Sequence, residues 1–420
     1  MTPRASLLAL ETIGIKLGLE QVRTLLDRLN HPDRAFPSVV IAGTNGKGSV
    51  TAMVERGLRA SGYTTGRYIS PHLVDLEERF CVNGAPLSSE TVDTLAGRIM
   101  DAARTMASPP SFFEATTAMA LEGFRDAAVN AAVLEVGLGG RLDATNAVPS
   151  RGVAITAVDY DHQEHLGHTL EEIAREKAGV IKPGGLVVLG ENSATVCRVV
   201  LDMADAHGAR LVYAPEQVVA DAHTADGRIH ATITTPHARY EGLRLGLRGW
   251  HQLTNAITAI RLLEELTVEG VFQIGAEAIS IAVQDVVWPA RLELIGEGDQ
   301  AVLIDGAHNP AAARVLASYI LEVFARPLPI VIGAMRDKNI AEMVRALAPC
   351  ASAFICTSPD SPRAATAADI AALVAAHAPQ VPAMQASQSL EALAIARAIG
   401  SPVVVAGSLY LAGEIRAKLT

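Results

Sequence analysis

The sequence predicts an α/β protein of two domains: an N-terminal phosphate-loop ATPase domain with a parallel sheet plus a small antiparallel sheet, and a C-terminal Rossmann-like domain. Three observations carry this expectation. The chain has 420 residues, more than one ordinary hydrophobic core organises. Half of them are apolar and only 4% aromatic, a mixture of Ala, Val, Leu and Ile that suits strands packed under helices. Short apolar runs recur along the chain, each ending in a loop and most followed by helical periodicity. That is the pattern of parallel strands joined by crossovers and covered on both faces.

In chain order, the first run is SVVIAG (38–43), then AAVLEVGLGG (131–140) and GVAITAVDYDH (152–162). Residues 210–245 differ, because polar and apolar residues alternate between turn signals; they read as antiparallel strands appended to the first domain. A helical stretch, HQLTNAITAIRLLEELT, follows. In QDVVWPARLELI, Pro289 forbids a helix and a new strand begins, so the boundary falls near 287, with domains at 1–287 and 288–420. The second domain has its own strands in QAVLIDGAHN (300–309), LPIVIGAMRDK (328–338), SAFICTSP (352–359) and SPVVVAGSLY (401–410).

The net charge of −10 argues against a nucleic-acid surface, which needs clustered Lys and Arg. Cys81, Cys197, Cys350 and Cys356 are scattered, without metal or disulfide spacing, as expected in a reducing cytoplasm. The N-terminus lacks the order of a signal peptide, and no apolar run reaches the roughly 18–20 residues that span a bilayer. The expectation is a cytoplasmic monomer with no nucleic-acid or membrane partner.

The stretch VVIAGTNGKGSV (39–50) departs from the common phosphate loop, G-x-x-x-x-G-K-[ST]. Ile41 replaces the first glycine, and Ser49 follows Lys47 one place late. The context is nevertheless that of a phosphate cradle. A strand leads into it, and Val50, Met53, Val54, Gly57 and Leu58 mark one face of a helix leading out. Gly43, Gly46 and Gly48 permit a turn whose N–H groups and helix dipole point at an anion, with Thr44 and Asn45 inside it. Lys47 adds charge and Ser49 a hydroxyl. The plainer alternative is a strand-to-helix turn with a surface lysine.

Glu135 ends an apolar strand, at the sheet edge where α/β proteins bind ligands; the alternative is a glutamate that caps a loop. His162, beside Asp161 after a buried strand, reads as a ligand or as a loop histidine. In TLEEIAREKAGVIK (169–182), Thr169 and Glu172 form a capping box, and Leu170, Ile173, Ala174 and Lys177 fall on one face. Lys177 thus lies in the apolar stripe. Desolvation lowers the pKa of such a lysine, and a neutral amine can take up carbon dioxide as a carbamate. The other reading is a lysine whose stem lies on apolar surface while its ammonium reaches water.

GTNGKGS, with SPHLVDLEERF (70–80), FFEATTAMA (112–120), EVGLGGRLDATN (135–146), DHQEHLG (161–167), EKAGVIK (176–182), HQLTNA (251–256), DGAHNP (305–310) and GSLY (407–410), resembles the Mur ligase family. Within it, the resemblance is to the bifunctional dihydrofolate synthase/folylpolyglutamate synthases. The match spans nearly the whole chain. It implies an ATP-dependent carbon–nitrogen ligase joining L-glutamate to dihydropteroate and to reduced folates through an acyl phosphate. Two anions must meet in that reaction, so magnesium and fixed cations must offset their repulsion. By resemblance, the metal (two Mg2+ ions) is held by Ser70, Glu135, His162 and a carbamate formed from carbon dioxide on Lys177. Lys47, Lys177 and His162 are catalytic. ATP is held by residues 43–49, Asn255, Arg291 and Asp305. His308 and Ser408 lie near glutamate, and Leu17, Gly18, Leu19, Ser111, Leu142, Asp143 and Ala144 line the pterin side.

Two departures stand out. PAR occupies 289–291 where the family commonly has PGR, and Ser111 replaces a threonine of some relatives. Asp143 is expected to accept hydrogen bonds from pterin N–H groups, or else to cap a loop under the metal. Two other functions stay open at this stage: a Mur ligase acting on a cell-wall nucleotide-sugar peptide, and a nucleotide-driven switch that forms no amide.

Overall fold

A computed structural model describes residues 2–14 and 17–420 of the chain. They divide into two compact units. One comprises Met1–His223, His230–Gly246 and Gln252–Val286; the other comprises Thr224–Ile229, Leu247–His251 and Val287–Thr420.

The first unit is built on an eight-stranded sheet. Its strands are β1 (Ser38–Ala42), β2 (Thr65–Tyr68), β3 (Phe80–Val82), β4 (Ala85–Pro86), β5 (Ala131–Glu135), β6 (Gly152–Ile155), β7 (Leu186–Leu189) and β8 (Arg210–Tyr213). Their spatial order is β4-β3-β2-β5-β1-β6-β7-β8. All pairs from β2 to β8 are parallel, while β3 and β4 add an antiparallel edge. Every residue of β1, β5, β6 and β7 is buried, which is why these strands read as unbroken apolar runs. Because β1, β5 and β6 are parallel neighbours, the loops that follow them leave at one edge of the sheet. That edge is where a ligand site forms in a sheet of this kind.

A separate three-stranded sheet follows, with β9 (Val219–Ala225), β10 (Arg228–Thr234) and β11 (Arg239–Arg244) in the order β11-β10-β9. The expectation of antiparallel strands across 210–245 therefore needs correcting at its start. Residues 210–213 are β8, which joins the large sheet in parallel with β7. The amphipathic pattern of RLVY reflects a half-exposed edge strand, and its direction is set by its partner rather than by its own residues.

The second unit holds a six-stranded sheet: β12 (Glu293–Ile295), β13 (Val302–Ile304), β14 (Leu328–Ile332), β15 (Ala351–Cys356), β16 (Ala383–Gln385) and β17 (Val403–Ala406), ordered β12-β13-β17-β14-β15-β16. Only β12 is antiparallel. Among the described residues no helix is long and apolar enough to cross a membrane.

Candidate active site

The loop after β1 runs directly into the helix Lys47–Ala60, with Gly46 as N-cap at φ 90°. Val50, Met53, Val54, Gly57 and Leu58 are all buried on that helix. Glycine is required twice in the loop. A Cβ on Gly43 would lie 1.9 Å from Thr156 Oγ1, and one on Gly46 would lie 2.3 Å from Asn255 Oδ1. The loop is braced on β6: the N–H groups of Thr44 and Asn45 both donate to Ala157 O, and Thr156 Oγ1 donates to Asn45 O. Thr44 Oγ1 donates to Asp159 O. A second brace comes from the helix His251–Val268. Asn255 Nδ2 donates to Gln252 Oε1 at 3.0 Å, and Gln252 Nε2 donates to Ser49 Oγ at 3.2 Å. Sequence reasoning singled out Asn255 and missed Gln252, although the spacing of Gln252 and Asn255 by three residues puts them on one helix face.

Among the described residues Lys47 Nζ is held only by backbone, donating to Gly43 O and Thr44 O at 3.2 and 3.1 Å. Lys177 reaches the same loop from the other side. It lies on the helix Leu170–Ala178, which opens with the Thr169–Glu172 capping box, and it is 4% exposed. Its Nζ donates to Gly43 O at 2.8 Å. Burial and then the nearby Lys47 charge pull its pKa down to about 7, against smaller opposing pulls from Asp161 and Asp143. Lys177 therefore does not reach water, and the reading in which its ammonium does so is set aside.

Glu135, 7% exposed, ends β5 directly beside Ile41 of β1. Val136 N donates to Ile41 O, which carries the strand pairing one step further. His162 sits at φ 51° with its side chain 36% exposed, 3.7 Å from Asp161 through Nε2. Ser70 Oγ accepts from Arg79 Nη1 at 3.1 Å. Among the described residues, no group of three or more His, Cys, Asp or Glu side chains stands ready to hold a metal ion.

The pterin-side candidates lie on three segments of this unit that pack together: the helices Glu20–Arg28 and Phe112–Asp126 and the turn Ala144–Ala147. Leu17, Gly18 and Leu19 lead into the first helix; Leu17 is 47% exposed. Ser111 is the N-cap of the second, in a capping box with Glu114, and is buried. Leu142 is half-buried and Ala144 buried. Asp143 is 4% exposed, and its oxygens are engaged by its own loop. Oδ2 accepts from Gly137 N and Leu138 N, and Oδ1 from Thr145 N and Thr145 Oγ1, all within 2.6–3.0 Å. The expectation of a carboxylate free to meet a pterin needs revising: in this structure Asp143 shapes the loop that follows Glu135.

In the second unit, Asp305 follows β13 and Ser408 follows β17, its parallel neighbour. Gly407 N donates to Ala307 O, which joins the two loops. Asp305 accepts from Leu292 N and Ala307 N, both at 2.8 Å, and burial raises its pKa despite Arg291. Arg291 lies against Gly306, where a Cβ would be 2.5 Å from Nη1. Ser408 accepts from Leu411 N as N-cap of the helix Leu409–Arg416, and His308 Nδ1 is 2.8 Å from Gly306 O. Arg291, Asp305, His308 and Ser408 are thus gathered at one edge of this sheet.

Two family descriptions match the chain: the Mur ligase middle domain over residues 41–263 and the Mur ligase, glutamate ligase domain over 290–409. The dihydrofolate synthase/folylpolyglutamate synthase of Bacillus subtilis is 33% identical over 97% of this chain and 96% of its own. The folylpolyglutamate synthase of Mycobacterium tuberculosis, solved with ADP and AMPPCP, superposes with a TM-score of 0.91 at 31% identity, covering 99% of each chain. A bifunctional folylpolyglutamate synthase/dihydrofolate synthase solved with Mn, AMPPNP and L-glutamate gives a TM-score of 0.87 at 31% identity, covering 100% of this chain and 98% of that one. With its glycine loop, its buried lysine and both domains matched along their length, this chain belongs to the Mur ligase family, alongside the dihydrofolate synthase/folylpolyglutamate synthases.

Proposed function

We propose that the chain is an ATP-dependent ligase that joins L-glutamate to dihydropteroate, making dihydrofolate, and to reduced folates, making folylpolyglutamates. The observation that carries this reading is the pair Lys47 and Lys177 converging on one backbone carbonyl, Gly43 O, at the mouth of a braced glycine loop. Among the described residues both amines have only backbone oxygens as hydrogen-bond partners, which leaves the Lys47 charge for an anionic occupant and leaves Lys177, whose own charge is disfavoured, as an amine open to carbon dioxide. The relatives' names and bound molecules agree with it.

In the first half-reaction, a carboxylate oxygen of the acceptor attacks the γ-phosphorus of ATP, and ADP leaves. In the second, the glutamate amine attacks the acyl carbon, phosphate leaves and the amine loses a proton. Lys47 and the N–H groups at the start of the helix Lys47–Ala60 hold the transferring phosphoryl group. Asn255, Arg291 and Asp305 hold the rest of ATP, and His308 and Ser408 hold glutamate. In this division residues 1–287 bind ATP, metal and folate, while 288–420 add contacts to ATP and glutamate. Asp143 acts by setting the loop of Gly137–Ala144 rather than by touching the pterin, whose edge falls to Leu17–Leu19, Ser111, Leu142 and Ala144. The four free cysteines, three of them buried, suit a cytoplasmic enzyme.

The oxygen-rich donor set of Ser70 and Glu135 with His162 suits a hard divalent ion such as magnesium. Bound there, such an ion neutralises phosphate charge. Lys177 fits carbamylation because its amine is desolvated, and because the N–H left after carbon dioxide adds can still donate to Gly43 O. The test is a panel of acceptors against amino acids in an ADP-release assay. ADP should form only with glutamate present together with dihydropteroate or a reduced folate monoglutamate. Turnover with a cell-wall nucleotide-sugar peptide, or ADP release without glutamate, overturns the reading. Activity with folates alone reduces it to polyglutamate synthesis.

A further inference from the structure

The turn Leu76–Arg79 closes the Ser70 loop from both ends. The Glu78 carboxylate accepts the N–H groups of Leu73, Val74 and Asp75 at 2.7, 2.9 and 3.0 Å. The Arg79 guanidinium takes the other end, donating from Nη1 to Ser70 Oγ at 3.1 Å and from Nε to His72 Nδ1 at 2.8 Å. Arg79 is only 6% exposed and, among the described residues, makes no ion pair with a carboxylate. A buried cation held by two neutral acceptors is a costly arrangement to keep for stability alone. Its carbon centre also lies 5.1 Å from the centre of the Phe112 ring, next to Ser111.

We propose that Arg79 is a positioning residue for this active site: it orients the Ser70 hydroxyl toward the divalent ion and couples that loop to the Ser111–Phe112 wall of the acceptor pocket. This rests on the reading of Ser70 as a metal ligand. The chemistry follows from what a guanidinium can do. It only donates and does not lose its proton, so Ser70 Oγ must accept from it. One lone pair is thereby occupied, and the hydroxyl keeps a second lone pair whose direction the Arg79 contact determines. The planar fork is what lets one side chain hold Ser70 and His72 together. A lysine ammonium, a compact point charge on a flexible stem, does not reproduce that geometry.

The test measures Mn2+ binding by electron paramagnetic resonance with a non-hydrolysable ATP analogue present, on wild type, Ser70→Ala, Arg79→Lys and the double variant. Each single variant should weaken Mn2+ binding by about 10- to 100-fold. The double variant should be no worse than Ser70→Ala, because Arg79 acts through Ser70. Affinity for the analogue without metal should change less than about twofold in Arg79→Lys, a split that general loosening of the fold does not produce. Wild-type Mn2+ affinity in Arg79→Lys, or additive losses in the double variant, overturns the proposal. Unchanged Mn2+ binding in Ser70→Ala overturns the metal reading on which it stands. If Arg79→Lys does not fold, His72→Ala decides. It removes the second anchor of the guanidinium and should weaken Mn2+ binding several-fold at an unchanged melting temperature; no weakening there overturns the proposal.

Discussion

The far half of the helix His251–Val268 buries Arg261, Glu264 and Glu265, at 4, 5 and 3% exposure, and each meets opposite charge. Arg261 pairs with Glu264 at 2.8 Å and with Glu265 at 2.7 Å. Arg210 and His237 add to Glu265, while Thr235 and Tyr240 donate to Glu264. The same unit also buries charge at the glycine loop, on the opposite rule. There, among the described residues, Lys47 and Lys177 have only backbone oxygens as hydrogen-bond partners, and burial together with the Lys47 charge disfavours the charge of Lys177. In the first cluster charge is spent internally, tying β8 and the β10–β11 turn to the helix. In the second, charge is left over for something that arrives. Buried charges paired with their opposites mark structure; a cation and a desolvated amine left to backbone oxygens mark a site.

The sharpest way to break this contrast is Lys47→Ala. It should fold normally and lower ligation by on the order of 10³-fold, as expected when a donor to developing phosphate charge is removed. A loss of stability with activity retained would put Lys47 in the structural class.

Lys177→Ala should cost activity by about 100-fold, with partial rescue by a short carboxylic acid at high concentration. Stability should move the other way. The folded lysine has its pKa near 7 against an ordinary 10.5, so between those values the unfolded chain binds the extra proton. In carbon dioxide-free buffer, wild-type stability should therefore rise with pH across that window. Lys177→Met should be flatter there and more stable at pH 7. Parallel wild-type and Lys177→Met curves in chemical denaturation would refute the desolvated amine.

Arg261→Met should do the reverse, since Glu264 and Glu265 lose their shared buried partner. A cost of roughly 3–5 kcal/mol in denaturant unfolding is expected, with kcat/KM per folded molecule close to wild type. The smallest effect is expected at Ala290, which sits at φ 54°, in the left-handed region that favours glycine. Ala290→Gly relieves left-handed strain of about 1–2 kcal/mol, partly offset by the greater freedom of the unfolded chain. Its melting temperature should rise slightly; a clear fall would show that the Ala290 methyl packs more usefully than its backbone is strained.

The large sheet was legible where its strands are buried on both faces, as in β1, β5 and β6. β2 was not, because TGRY looks like a turn. Its Gly66 is there because a Cβ would lie 2.6 Å from the Phe124 ring, and its Arg67 is there to meet Glu55. Both reasons are tertiary. In the site, Lys177 was legible because helical spacing alone put it in the apolar stripe. Arg79 was not, since nothing in LEER distinguishes a buried guanidinium from an exposed one. At Asp143 half of the local signal was present: an aspartate two residues before a threonine caps a turn, and the two hydrogen bonds it accepts from Thr145 follow that rule, while those from Gly137 and Leu138 depend on the fold of the preceding loop.

The bracing of residues 43–49 on Ala157, Thr156 and Gln252 bears on how fast the nucleotide can be captured. A loop that had to order on binding would lose about 1–2 kcal/mol of chain entropy per residue at that moment, with a matching slow step. Here the cradle has its shape beforehand, from hydrogen bonds that involve no ligand. Nucleotide association should therefore be a single concentration-linear phase in stopped flow, and the amides of residues 44–49 should resist hydrogen exchange in the empty protein almost as well as in the loaded one.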